Sequence, residues 1–263
     1  MIDVLDVTHH YGVKPVLRNV SLHIARGEVV ALMGPNGMGK STLMSIIAGA
    51  LHPVRGRVEI DGKTRRSSEE VELAIRQQIT YLPADPWLPL AQTPREWLIA
   101  VGRIYQVEDQ RLLDHVPRLL ELFNLLEQAD HRIASLSTGQ KKKVALCGAL
   151  VSEATILLLD EPFAGGLDPS GILALKRILQ RHAHGDEYTI VMATPVPELV
   201  EELADRIAIL REGRLIAYDT LGGLRRTAHA ADDAKLDEIY ELLASPDTAQ
   251  KIERYFTDIP PAQ

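Results

Sequence analysis

Val29-Val30-Ala31-Leu32-Met33-Gly34-Pro35-Asn36-Gly37-Met38-Gly39-Lys40-Ser41-Thr42 is the stretch on which the fold turns. Its first five residues are all apolar and predict a strand, while Leu43, Met44, Ile46 and Ile47 begin the apolar face of a helix. Between strand and helix stands the pattern G-x-x-x-x-G-K-[ST]. Glycines there let backbone N–H groups curl around phosphates, and the helix points its positive end at them. The pattern predicts a nucleoside triphosphate site in which Gly34, Asn36, Gly37, Gly39 and Thr42 belong to the phosphate cradle. Lys40 would reach the β and γ phosphates, and Ser41 would bind Mg2+. A glycine turn with no ligand is the alternative, and the placement of strand and helix weighs against it.

The chain has 263 residues, long enough for one lobed α/β domain with a tail. Its 46% hydrophobic and 25% charged composition is that of a globular protein, and no apolar run approaches the roughly 18 to 20 residues that span a membrane. Asp3 and Asp6 interrupt the N-terminus too early for a signal peptide. Cys147 is the only cysteine, so no intrachain disulfide forms, which suits a reducing cytoplasm; the residue reads as a buried apolar side chain rather than a nucleophile. A net charge of -7 argues against nonspecific nucleic-acid binding, because neutralising phosphates needs a basic face.

Strand patterns at Ile2 to Val7, Val16 to Ile24, Glu28 to Met33 and Arg57 to Ile60 make the front of the chain β-rich. After the strand Ile79 to Leu82, helical periodicity runs through Arg95 to Tyr105 and Leu112 to Leu126. Strands at Ile156 to Leu159, Thr189 to Ala193 and Ile207 to Leu210 then alternate with helices at Pro169 to His182 and Pro197 to Leu203, the signature of a parallel sheet. Arg214 to Tyr218 adds a last strand. Leu236, Ile239, Leu242 and Leu243 form a helical stripe in the tail.

Two further segments bear on the phosphate loop. Ile156-Leu157-Leu158-Leu159-Asp160-Glu161 is an apolar strand ending in two carboxylates, suited to Asp160 holding Mg2+ and Glu161 orienting or deprotonating a water. Leu136-Ser137-Thr138-Gly139-Gln140 precedes an apolar helix expected over Lys142 to Val151, so that Ser137 stands at a positive helix end; a simple N-cap is the plainer reading. The run Lys141-Lys142-Lys143 reads as a solvated face with no role.

In order and spacing, Tyr11, the phosphate loop, Leu136 to Gln140, Asp160-Glu161 and Gly166-Leu167-Asp168-Pro169 resemble the nucleotide-binding subunit of an ABC transporter, over residues 1 to about 220. The resemblance implies a P-loop NTPase (RecA-like) α/β core with an antiparallel β subdomain and a helical subdomain. It places the ATP-binding domain at 1–222, with the helical insertion at about 84–150 and a C-terminal helical extension at 223–263. It also implies a dimer, homodimeric or formed with another ABC ATPase subunit, that sandwiches two ATP molecules with Mg2+. Tyr11 would stack on adenine, Ser137, Thr138, Gly139 and Gln140 would serve the partner's γ-phosphate, and Asp168 would report across the interface.

Two positions depart from the family pattern. Ala84 stands where the family carries glutamine, and Pro195 where it carries histidine; proline cannot donate the missing hydrogen bond. His182 and His184 lie at the wrong end of the following strand to substitute, and Asp85 reads as a loop carboxylate. Losing one preorganised donor costs roughly 100- to 1000-fold in rate, so the expectation is ATP binding with slow hydrolysis in the chain's own site. The resemblance implies a cytoplasmic subunit held at the inner face of the membrane by transmembrane permease subunits, nearest to the ABC-2 exporters. The competing expectations are a regulatory ATP-binding module with little hydrolysis and a soluble ABC ATPase acting on nucleic acid or ribosomes. For the last, the chain shows no second cassette and no basic region.

Overall fold

The computed structural model describes residues 1–183, 188–244 and 254–255. Three strands, β1 (Ile2–Tyr11), β2 (Lys14–Ile24) and β3 (Val29–Met33), lead into α1 (Lys40–Ile47), and β4 (Arg55–Ile60) and β5 (Lys63–Thr64) follow. Next come α2 (Glu69–Gln78), β6 (Ile79–Leu82), α3 (Pro94–Ile104), α4 (Asp109–Leu122) and α5 (Thr138–Val151). The second half alternates β7 (Ile156–Asp160), α6 (Pro169–Ala183), β8 (Thr189–Ala193), α7 (Pro197–Leu203) and β9 (Arg206–Arg211), and closes with β10 (Arg214–Asp219), α8 (Leu221–Thr227) and α9 (Leu236–Ala244).

These strands form two sheets. One is antiparallel, in the order β2-β1-β4-β5; the other runs β10-β9-β3-β8-β7-β6 and is parallel except for its edge strand β10. Continuous apolar runs in β3, β7 and β8 follow from burial on both faces of the large sheet. Because side chains alternate along a strand, each run divides itself between two cores. Val30, Leu32, Ile156, Leu158 and Val191 pack with α1 and the antiparallel sheet. Val29, Ala31, Met33, Leu157, Leu159 and Met192 pack with the helices on the opposite face.

The sheets also meet at backbone level. Arg18 donates its N–H to the carbonyl of Gly213 at 2.8 Å, and a Cβ on Gly213 would lie 2.4 Å from the Val16 carbonyl oxygen, so the β9–β10 turn requires glycine. At its entry β3 is fixed by Asp205, whose carboxylate accepts from Val29 N–H at 2.8 Å while its own N–H donates to the Val29 carbonyl.

Several boundaries differ from the sequence expectation. Helix α2 lies in a stretch with no predicted element; Ser68 caps it by accepting from Val71 N–H, and Glu69, Glu70 and Glu72 fill its first turn. Helix α4 ends at Leu122, and Leu126 instead opens a separate short 3-10 turn. In the tail, Leu236 and Ile239 are buried with the helix-side core, but Leu242 points outward. The portions 245–253 and 256–263 of the expected C-terminal extension, and His184, lie outside the described residues. Among the described residues no helix is long and apolar enough to cross a membrane.

Candidate functional site

The phosphate loop joins the C-terminal end of β3 to α1, at the centre of the large sheet. Two of its glycines are set by space as well as by angle. Gly34 has φ 150° and a Cβ there would sit 2.3 Å from the Leu210 carbonyl oxygen; Gly39 has φ 100° and a Cβ would meet Leu17 at 2.7 Å. The chain therefore passes close under β9 and β2 where side chains do not fit. Lys40 is buried and its ammonium donates to the carbonyls of Gly34 at 2.7 Å and Pro35 at 3.2 Å. Burial lowers its pKa, and the charges of Glu161 and Asp160 oppose that shift, which puts both carboxylates in electrostatic reach of the lysine.

Asp160 ends β7 with 2% of its surface exposed. Burial pushes its carboxyl above the ordinary range, a hydrogen bond from Ser41 acts in the opposite direction, and Glu161 adds to the rise. The residues thus present a desolvated carboxylate beside a hydroxyl at the start of α1, an electrostatic setting that a divalent cation would relieve. Among the described residues no three His, Cys, Asp or Glu side chains form a metal cage.

Glu161 carries φ 47°, in the left-handed region that a non-glycine residue seldom adopts. Its N–H donates to the Ala193 carbonyl at 2.8 Å and its own carbonyl accepts from Ala164 N–H at 3.1 Å. Strain of this kind persists where surrounding bonds over-determine the backbone.

Ser137 is the N-cap of α5, which begins at Thr138 rather than at Lys142 as expected. The capping box is complete: Ser137 Oγ accepts from Gln140 N–H at 3.2 Å, and Gln140 Oε1 accepts from Ser137 N–H at 2.9 Å. The segment is thus a capped helix start, exposed at Ser137 and Thr138 and half-buried at Gly139 and Gln140, with no acidic residue in its first turn. Gly139 lets the loop after β7 approach, since a Cβ would lie 2.3 Å from the Gly166 carbonyl oxygen.

Asp168 faces its own chain. It accepts from Gly171 N–H at 2.8 Å and from Ser170 Oγ at 3.0 Å, and pairs with Lys143 at 2.7 Å; these contacts hold its carboxyl below the usual range, Lys143 foremost. Tyr11, at the end of β1, is 56% exposed with its ring edge-on to His9 at 4.9 Å. Trp97 packs its ring against Gly148 of α5, whereas Trp87 is 80% exposed.

The lysine run is the clearest correction. Lys142 and Lys143 are 4% and 6% exposed, not solvated. Lys143 holds Asp168, and Lys142 donates to the Ala84 carbonyl at 3.4 Å, with Asp160, Glu161 and Asp85 as its electrostatic neighbours. Their place one turn past a capping box, at the start of a helix that is apolar at every position from Val144 to Val151, is the signal that points to burial. Ala84 and Pro195 stand exposed at the ends of the strands that flank β7, β6 and β8. His182 lies against Tyr188 at the opposite end of β8, with ring centroids 4.0 Å apart and the planes tilted by 48°.

A phosphate loop beneath strand-end carboxylates, on a parallel sheet with an antiparallel sheet on one face and helices on the other, defines a P-loop ATPase fold. Residues 17–164 match the family model described as ABC transporter. The chain is 33% identical to the ABC-type transporter ATP-binding protein EcsA of Bacillus subtilis (strain 168), over 95% of this chain and 99% of that one. It is 37% identical over 217 residues to the Nod factor export ATP-binding protein I of Rhizobium meliloti (strain 1021), covering 82% of this chain but spanning only 63% of that relative's length. A solved structure of an ATP-binding subunit of an ABC transporter superposes with a TM-score of 0.84 at 33% identity, over 92% of this chain and 99% of that chain. The chain belongs to the ABC transporter family, as an ATP-binding domain.

Proposed function

We propose that the chain is the ATP-binding subunit of a multi-chain ABC transporter and that it drives transport by ATP-dependent dimerisation and hydrolysis. The observation that carries this reading is the convergence of Lys40, Ser41, Asp160 and Glu161 on one loop. ATP binds with its phosphates along Gly34 to Thr42 and its adenine against Tyr11. Ser41 and Asp160 hold Mg2+, which neutralises charge on the phosphates. Lys40 leaves its two loop carbonyls for the phosphates. Glu161 orients and deprotonates the attacking water.

Ser137, Thr138, Gly139 and Gln140 form an exposed helix start suited to an anion, and in a dimer they face the partner's γ-phosphate. Asp168, anchored by Lys143, keeps the loop after β7 in register with that interface. Permease subunits of the cell membrane dock on the cytoplasmic side near Ala84 to Trp87, where Trp87 is exposed. The relatives include both a Nod factor export protein and a cobalt import protein and so do not choose a direction; export of the ABC-2 type is kept as the reading of the Thr138-containing signature.

Ala84 and Pro195 supply neither of two expected donors, so hydrolysis in this site is slow. The same observation gives weight to a second reading, a regulatory module that binds ATP and hardly turns it over. Mg-ATP turnover of the purified chain, with Glu161→Gln as control and nucleotide binding checked in both, separates the two. Turnover above the control supports a motor; binding with turnover at the control level supports the module. Failure to copurify with any polytopic membrane protein would sink the transporter reading.

A further inference from the structure

Beyond Lys40, a second buried cation reaches the site through α5. Lys142 sits on α5 shortly after Ser137 to Gln140, and its aliphatic stem lies along Gly165, where a Cβ would be 3.6 Å from Cδ and 3.9 Å from Cε. Its ammonium is directed to the loop that follows β6, with the Ala84 carbonyl oxygen at 3.4 Å. Among the described residues this is its one hydrogen bond, for a group with three donors. The carboxylates in electrostatic range are Asp160, Glu161 and Asp85.

Packing does not require a charge here. The stem of a methionine fills similar volume without the cost of desolvating an ammonium, and a buried cation with one long hydrogen bond is disfavoured unless something else uses it. Its location supplies that use. Position 84 is where the chain lacks a side-chain donor, and the ammonium is bonded to the backbone of that same residue.

We propose that Lys142 is a positioning residue for ATP hydrolysis in this chain's own site: it places a cation beside Ala84 that orients Glu161 and the attacking water in place of a carboxamide. This inference rests on the reading of Asp160 and Glu161 as the hydrolytic pair. It also makes one helix serve two sites, with Ser137 to Gln140 offered to a partner's nucleotide and Lys142 bonded to the Ala84 carbonyl within electrostatic range of this chain's carboxylates.

The experiment uses the full chain with Lys142→Met, Lys142→Arg, and Lys142→Met combined with Ala84→Gln, against wild type and Glu161→Gln. Turnover, KM, fluorescent-nucleotide affinity, Tm and the Mg2+ midpoint of nucleotide binding are measured for each. Lys142→Met is expected to lower kcat by roughly 10- to 100-fold while KM and nucleotide affinity move little, as for loss of a group used in the transition state. Tm stays level or rises, and both Lys142→Arg and the added Ala84→Gln recover turnover, which a purely structural lysine would not allow. Turnover retained by Lys142→Met, or lost without recovery in either the Arg or the Ala84→Gln background, overturns the proposal. If wild type turns over no faster than Glu161→Gln, the hydrolytic reading of this site has failed, and the Mg2+ midpoint alone decides. Removing a cation near Asp160 should lower that midpoint severalfold, and an unmoved midpoint overturns the role of Lys142.

Discussion

The backbone N–H of Glu161 donates to the carbonyl of Ala193 at 2.8 Å, so the last residue of β8 holds Glu161, the proposed general base, at φ 47°. Pro195 stands two residues beyond that anchor, so the same strand end that secures Glu161 is where the expected histidine is missing.

A left-handed conformation costs a non-glycine residue roughly 1 to 2 kcal/mol, against roughly 0.5 to 1 kcal/mol of extra chain entropy lost by glycine. Glu161→Gly is therefore expected to leave the urea midpoint unchanged or slightly raised while abolishing turnover. Glu161→Gln keeps the strain, so it should match wild-type stability, retain ATP binding, and lose about 100-fold or more in turnover. A marked drop in the urea midpoint of the glycine variant would show that the carboxylate contributes to folding.

Two of the three phosphate-loop glycines, Gly34 and Gly37, should respond differently to alanine. At Gly34 the new Cβ meets the Leu210 carbonyl at 2.3 Å, and backbone has little room to give. We expect Gly34→Ala to cost about 2 to 4 kcal/mol in chemical denaturation and to abolish nucleotide binding. At Gly37 nothing lies within 4 Å, so only the positive φ of 80° opposes the change, worth about 1 kcal/mol. Equal costs at the two positions would contradict the close approach of β9.

Restoring both absent donors, Ala84→Gln with Pro195→His, should raise turnover of the folded chain by roughly 10-fold or more. Single changes are expected to give less than their share, because groups that act on one water are not additive. An unchanged rate in a double variant of native Tm would mean that Ala84 and Pro195 do not limit hydrolysis.

Asp168 both caps α6 and pairs with buried Lys143. Asp168→Asn keeps a capping oxygen but leaves the lysine unpaired; Asp168→Ala loses both. The carboxylate is half-exposed, which moderates the ion pair, so we expect about 1 kcal/mol from Asn and about 1 kcal/mol more from Ala, read from urea midpoints. Since its folded pKa is lowered, mainly by Lys143, the aspartate's contribution is fully present above the ordinary aspartate pKa of about 3.9 and fades as pH falls through the depressed folded value. A loss of that contribution already at neutral pH would be inconsistent with this pair.

Much of the fold is legible because its signals are local. The apolar runs of β3, β7 and β8, and the glycine-lysine loop between β3 and α1, each fit inside a short window. Helix α2 escapes that reading because its charged residues mask a weak apolar stripe; Ser68 and the three glutamates of its first turn were the readable clue. Leu242 fails as a stripe residue because periodicity fixes a helix face but not how much of that face a neighbour covers.

From sequence alone came the phosphate loop, the strand-end carboxylates and the order of motifs, since each depends on residue type at fixed spacing; the two absent donors at Ala84 and Pro195 are what the resemblance to the family implies. Tertiary structure alone decided that Lys142 and Lys143 are buried, that Asp168 is engaged within its own chain, and that Glu161 hangs from Ala193. Those outcomes depend on which distant segments meet, here the loop after β7 with α5 and with β8. A charge run reads as solvated until the fold closes over it, because burial is a property of the packed chain and not of any window along it.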